Sequence, residues 1–300
     1  MNRYWPMLLL LAAVWGASYL FIKVAVDEIP PAPMMAARTL LAAAVLLGYV
    51  VWRFGRTRAL AELRAARRHL LVLGLFNAAL PFWLIAWGEQ HIDSGLAAVV
   101  QASVPIFNAL LVLRFLPHER LSRMRALGLA VGILGVGVVT GIHPEGGWLA
   151  IAGALAVVAS SLAYAGAGVY GQKAVSGTPG PVLAAGSMLV GGLILAPVAA
   201  FQIPDAVPSW EATGSLLALS LAGTALAQLV LFRMLALHGS ARVSLVTYLM
   251  PGFALLYGTL ILDERITVSM LVGLALILGG VALASGAVRL QRRDAVTVRP

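Results

Sequence analysis

The chain has 300 residues, 61% hydrophobic and 11% charged, with a mean hydropathy of +0.93 and a formal net charge of +9. A soluble domain of this length could not hide that much apolar surface, so a soluble enzyme or nucleic-acid-binding domain is excluded. With no Cys, disulfides and thiolate chemistry are excluded too.

Apolar runs of about 20 residues recur along the chain, the length that crosses a hydrocarbon core of about 30 Å. They are continuous, not alternating, which rules out a transmembrane β-barrel. Ten spans are predicted: Pro6–Val26, Pro33–Trp52, His69–Gly88, Ser94–Leu116, Ser122–Gly141, Gly147–Tyr170, Pro181–Ala200, Gly214–Leu235, Ser240–Leu262 and Thr267–Ala287. Pro, Gly and charged residues punctuate their ends. The first is read as a span, not a cleaved signal peptide: it has only Arg3 ahead of it, is interrupted by Trp15-Gly16 and runs on to Lys23. The longest polar stretch is roughly 53–69.

Charge orients the spans. With the N-terminus inside, all but three of the 21 basic residues fall in cytoplasmic segments; the exceptions are Lys23, Arg38 and Arg265. That bias predicts an N-in, C-in protein, and an even number of spans agrees with it.

The chain is written twice. Ser94, Pro105, Glu119-Arg120, Gly128 and Gly135 are echoed by Ser240, Pro251, Glu264-Arg265, Gly273 and Gly280. The third and fourth spans match the eighth and ninth at an offset of 146 residues. Pro31–Leu41 matches Pro179–Leu189, and the first and sixth spans match most weakly. Because the sixth span starts on the opposite side from the first, the two units, 1–143 and 144–300, are inverted in the membrane. Inverted repeats are a common transporter architecture, in which rocking about a midplane site gives alternating access. The expected fold is all-α, ten transmembrane helices in two inverted five-helix repeats.

Candidate site residues are the polar and aromatic side chains near mid-depth: Trp15 and Tyr19, Asn77, Trp83 and Trp87, Gln101, Tyr164, Gln228, and Ser244 and Tyr248. Ser18, Ser160, Ser161 and Thr247 lie beside them. Asn and Gln in hydrocarbon need a partner, so they face either another helix or a wet cavity. Trp5, Trp52, Trp148 and Trp210 lie near span ends, where an interfacial belt explains them. Pro105 and Pro251 each free a carbonyl one turn back, giving a static kink or a bend that shapes a cavity, the latter favoured. Gly128-xxx-Gly132 and Gly137-xxx-Gly141, with Gly273 and Gly279-Gly280, are read as helix-packing residues. Lys23 and Arg38 snorkel outward, pair with Asp27, Glu28, Glu89 or Asp93, or meet a substrate carboxylate; pairing is favoured.

No carboxylate lies deep in a span. Glu89 is read at a span end, and Glu119 and Glu264 as caps or junctions of the helices starting near Ser122 and Thr267. No HExxH, GxSxG or Walker pattern occurs, so neither an enzyme, a metal site nor a cofactor is expected.

Trp15–Lys23 (WGASYLFIK), Arg38, Ser94–Leu111, the Glu119-Arg120 and Asp263-Glu264-Arg265 junctions and the Gly128 and Gly273 helices together resemble the drug/metabolite transporter superfamily, in its ten-span EamA-type branch. The resemblance covers about Pro6 to Ala287. It implies export of amino acids or other metabolites across a bacterial inner membrane, and the Trp- and Tyr-rich midplane is similar to the YddG-type aromatic amino-acid exporters. The implied partners are the lipid bilayer and a small molecule, not nucleic acid, with a monomer expected. Two departures stand out. Gly186 occupies the position that the repeat gives to Arg38, and the first span lacks the Glu that four-span relatives use, which removes that device for proton coupling; with no acid embedded in a span, facilitated movement is expected. A phosphorylated or sugar-nucleotide metabolite, a drug-like cation, or a membrane enzyme are the alternatives.

Overall fold

A computed structural model describes residues 4–115, 122–141, 147–204 and 206–284. The Glu119-Arg120 junction and the basic C-terminal tail lie outside the described residues. Among those described, every regular element is helical. Eight helices are long and apolar enough to cross a membrane: α1 (Tyr4–Val26), α2 (Pro31–Phe54), α3 (Arg67–Glu89), α4 (Ser94–Phe115), α5 (Arg123–Gly141), α6 (Gly147–Ala174), α7 (Gly180–Ala199) and α8 (Trp210–His238). Two apolar helices are shorter, α9 (Val246–Ile261) and α10 (Val268–Ala284), of 16 and 17 residues. At 1.5 Å per residue they reach about 25 Å, less than a full hydrocarbon core. A single turn, Ser240–Val243, precedes α9.

The ends follow local chemistry. Pro31 and Pro181 stand in the first turns of α2 and α7, where a missing N–H costs nothing and the fixed φ suits the helix. Gly55 and Gly239, at φ of +78° and +76°, end α2 and α8, and each N–H reaches back to a carbonyl four residues earlier. The longest polar stretch holds a short surface helix, Arg56–Ala65, carrying an Arg58–Glu62 ion pair one turn apart. Trp5, Trp52, Trp148 and Trp210 are exposed at helix ends.

Among the described residues, four irregularities interrupt the spans. α3 contains a π-helical segment at Leu75–Ala79 and α8 another at Leu221–Leu226. α4 breaks at Ala102–Ser103 and resumes at Val104 with Pro105 as its second residue. The other break, at Ser244–Leu245, precedes α9, whereas Pro251 lies inside that helix. The two prolines therefore occupy different local settings despite their matched sequence positions.

α5 packs on α10, α2 on α7, α1 against α8 and α9, and α6 against α3 and α4. Small residues make the closest of these contacts, as helices in lipid require. A Cβ on Gly280 would sit 2.5 Å from both the Gly128 carbonyl and the Gly132 amide, and one on Gly135 2.9 Å from the Gly273 carbonyl. Gly137, Gly141 and Gly279, expected in the same role, face open space.

Gly280→Ala is therefore expected to force backbone apart and cost about 1–3 kcal/mol, whereas its neighbour Gly279→Ala is tolerated. Thermal unfolding of the two purified variants checks this; equal melting points would remove the seam from the packing account.

Candidate functional site

A cavity of about 450 Å³ lies between α1, α2, α3, α4, α6, α8 and α9. The irregular segments border it. A π turn carries one extra residue, so Asn77 and Phe82, five apart on α3, both reach the cavity. In α8 the same device brings Gly223, Thr224 and Gln228 there. Gly223 allows close approach: a Cβ would lie 2.8 Å from the Ser18 hydroxyl. Gln101 and Val104 flank the break in α4 and line the same space.

Of the predicted residues, Trp15, Tyr19, Arg38, Asn77, Gln101, Tyr164 and Gln228 line the cavity. Trp83, Trp87, Ser244 and Tyr248 are not among its lining residues. Trp83 and Tyr248 pack against the core from outside, Trp87 meets His91 edge-on at 4.8 Å between ring centroids, and Ser244 is exposed. Neither Pro105 nor Pro251 lines it, although their neighbours Val104 and Met250 do. Phe82, Thr224, Ile22 and Ile85 were missed. Phe82 is phased by the π turn, which no hydrophobic periodicity reveals.

Arg38 is the cation of the cavity wall and is buried. Pairing with a carboxylate, favoured from sequence, gives way to other contacts. Its Nε donates to Thr224 Oγ1 at 3.0 Å, its Nη1 reaches Met35 Sδ at 3.7 Å, and its guanidinium stacks 3.8 Å above the Phe82 ring centre. Thr224 in turn donates to the Leu219 carbonyl across the π segment. These contacts fix the guanidinium without neutralising it. Tyr164 stacks obliquely beyond Phe82, and Ser160 Oγ donates to Gln101 Oε1 at 3.4 Å.

A profile of the EamA-like transporter family matches residues 3–141 and again residues 151–286. The chain belongs to the EamA-like transporter family. An uncharacterized transporter of Archaeoglobus fulgidus is 27% identical over 93% of this chain and 97% of the relative. The uncharacterized inner membrane transporter YedA of Escherichia coli K12 is 29% identical over 82% of this chain and 78% of its own length. A protein of Salmonella typhimurium named as a probable amino-acid metabolite efflux pump is 26% identical over 96% of this chain and 97% of the relative. A solved crystal structure shares the fold at a TM-score of 0.66 and 19% identity, covering 96% of this chain and 98% of the other. The family makes this a multi-span membrane transporter.

In this EamA-like transporter, polar ties gather at one end of the bundle. Lys23 Nζ donates to the Glu89 and Ile92 carbonyls at 2.7 and 3.0 Å, joining α1 to the end of α3. Glu264 accepts from the Ser94 amide, the Ser94 hydroxyl and the Gly95 amide at 2.7–3.0 Å. It thus caps α4, in the other half of the chain, and not the α10 helix it precedes. Glu28, between α1 and α2, accepts from the Ser209 amide and hydroxyl, both at 2.6 Å, at the start of α8. Ser209 Oγ also accepts from the Ala212 amide as the N-cap of that helix.

The Ser209 hydroxyl, and then its amide, hold the Glu28 carboxyl below its ordinary value of 4.5. The ionised form is the one that stabilises the fold, so the contribution is complete above the ordinary value and lost as pH falls through the lowered one. Glu28→Gln is expected to lower the melting point near neutral pH, with the gap to the parent closing below about pH 4. Paired thermal unfolding curves across that range are the check, and a gap independent of pH would discount the charge.

Proposed function

We propose that this transporter has ten spans with both termini in the cytoplasm. Its two inverted five-helix units would export amino acids with aromatic or bulky apolar side chains across a bacterial inner membrane, by alternating access about the central cavity. The π segments support the repeat: they begin at Leu75 and Leu221, the same 146-residue offset that relates the sequence motifs. The packing supports it as well. The contacts of α1 with α8 and α9 have counterparts in those of α6 with α3 and α4, while α2–α7 and α5–α10 each pair a helix with its own counterpart. The distribution of Arg supports the orientation.

The observation that carries the substrate class is the buried Arg38 guanidinium set among aromatic faces. A carboxylate would take its free N–H groups, and an apolar side chain would lie against Trp15, Tyr19 and Tyr164. Asn77, Gln101 and Gln228 remain for the ammonium and other polar atoms. A volume near 450 Å³ lies within the range of about 300–1,000 Å³ typical of small-ligand sites. A phosphorylated or sugar-nucleotide substrate calls for several cavity cations; Lys23 spends its donors on backbone carbonyls, leaving Arg38. A drug-like cation would be repelled by Arg38. The name of the Salmonella relative agrees with amino-acid export.

Reconstituted vesicles should take up labelled L-phenylalanine or L-leucine, with glucose 6-phosphate and tetraphenylphosphonium as controls. Arg38→Gln should reduce uptake about 10–100-fold, the equivalent of one charged hydrogen bond of about 1.5–3 kcal/mol; Arg38→Lys should fall between, having lost the planar fork. If no amino acid in the panel moves, or Arg38→Gln moves them at the parental rate, this reading fails.

A further inference from the structure

Glu89 is the last residue of α3 and is completely buried, and neither carboxyl oxygen has a hydrogen-bond partner. It lies one turn past Ile85, on the helix face that lines the cavity. Below it, Ile22 and Ile85 close the cavity with almost no exposure, while at the opposite end the lining residues Leu231, Phe232 and Thr247 are partly exposed. Gly88 seals the other flank against Gly153: a Cβ on either would lie 2.9 Å from the other's carbonyl. Glu89 is therefore buried just beyond the closed end of the cavity, beside Lys23, which is partly exposed to water.

The position of Lys23 is informative. Its ammonium is bound to the backbone carbonyls of Glu89 and Ile92, not to the Glu89 carboxyl beside them. An ionised carboxylate would be the stronger partner for an ammonium than two neutral carbonyls. An isolated buried carboxylate is among the costliest groups to leave unpaired, and buried ionisable groups with perturbed surroundings cluster at functional positions. Other charged or titratable groups lie near it on the packed elements: Tyr19 and Lys23 from α1, Arg38 from α2 and Glu264 from the connection before α10, with His91 and Asp93 in the following turn; Tyr164 from α6 neighbours Tyr19 and Arg38. The Glu264 carboxylate is already committed to α4, and Arg38 to Thr224 and Phe82.

We propose that Glu89 is a proton-binding site whose occupancy decides whether this end of the transporter is closed. With the proton on Glu89, Lys23 holds the two carbonyls and ties α1 to the α3–α4 turn. When the carboxyl gives its proton to water, the carboxylate draws Lys23 off those carbonyls, the tie breaks and the end opens. The proposal rests on the alternating-access reading but not on the substrate assigned there, and it replaces the expectation of a site without a buried acid.

The native chain has no Cys, so single cysteines report cleanly. Ile92→Cys, at a position buried at the closed end, and Phe201→Cys, at one 90% exposed on the same side, are labelled with a membrane-impermeant maleimide in vesicles. The Phe201→Cys rate corrects for the pH dependence of the reagent. The corrected Ile92→Cys rate should rise several-fold between about pH 6 and about pH 8.5. In the Glu89→Gln background it should stay low and flat, and in Glu89→Asp the rise should persist with a moved midpoint, showing that the site tolerates substitution. Infrared difference spectra of the parent should show a protonated-carboxyl band at the lower pH that Glu89→Gln removes. A flat parental profile, an unchanged rise in Glu89→Gln, or a carboxyl band that survives that substitution overturns the proposal. No transported substrate is needed, so a failed amino-acid panel sinks the substrate reading and leaves this test standing.

Discussion

In hydrocarbon every backbone N–H and C=O must find a partner inside the protein, and that demand governs where this chain can be irregular. A helix satisfies its own backbone, so a deviation is tolerated where neighbouring protein or a wet cavity takes up the freed groups. The two π segments, the break after Gln101 and the break before Val246 obey this rule. The two π segments contribute cavity-lining residues directly, Gln101 and Val104 line the cavity on either side of the third irregularity, and Thr247 lines it just past the fourth. The site is thus built by departures from regular helix. The helices that contribute no lining residue, α5, α7 and α10, are free of π segments and breaks.

This explains what the sequence could and could not reveal. The eight long apolar helices were legible because hydrophobic length has one dominant cause, the thickness of the bilayer. Boundaries at Pro31, Gly55 and Pro181 were legible because Pro and Gly act locally. Mid-depth polar residues such as Asn77, Gln101 and Gln228 were good pointers, since each carries a desolvation cost that only a cavity or a partner relieves. Phe82 was hidden because a π turn shifts helical phase by one residue, so Trp83 drew attention that belonged to its neighbour. Trp87 and Tyr248 show the converse: aromatic identity at the right depth does not fix the face. Glu264 was recognised as a cap, but the helix it caps is remote in sequence, and only folding identifies it.

Two basic residues that look alike in sequence are used in opposite ways. Arg38 is held by Thr224 and the Phe82 ring, contacts that orient a guanidinium while leaving its charge available in the cavity. Lys23 is held by carbonyls at the C-terminal end of α3, where the helix dipole itself favours a cation. One leaves its charge facing the cavity; the other commits it to joining elements. Planar geometry suits the first task and a compact ammonium the second.

The Gly128–Gly280 seam works by contact between bare backbones. Such a joint contains no titratable group and no rotamer to reset, so proton concentration and ionic strength have no handle on it. The ties at the far end, built on Lys23, Glu264 and Glu28, are ionic and answer to both. The molecule thus separates a mechanically constant spine from a chemically adjustable rim.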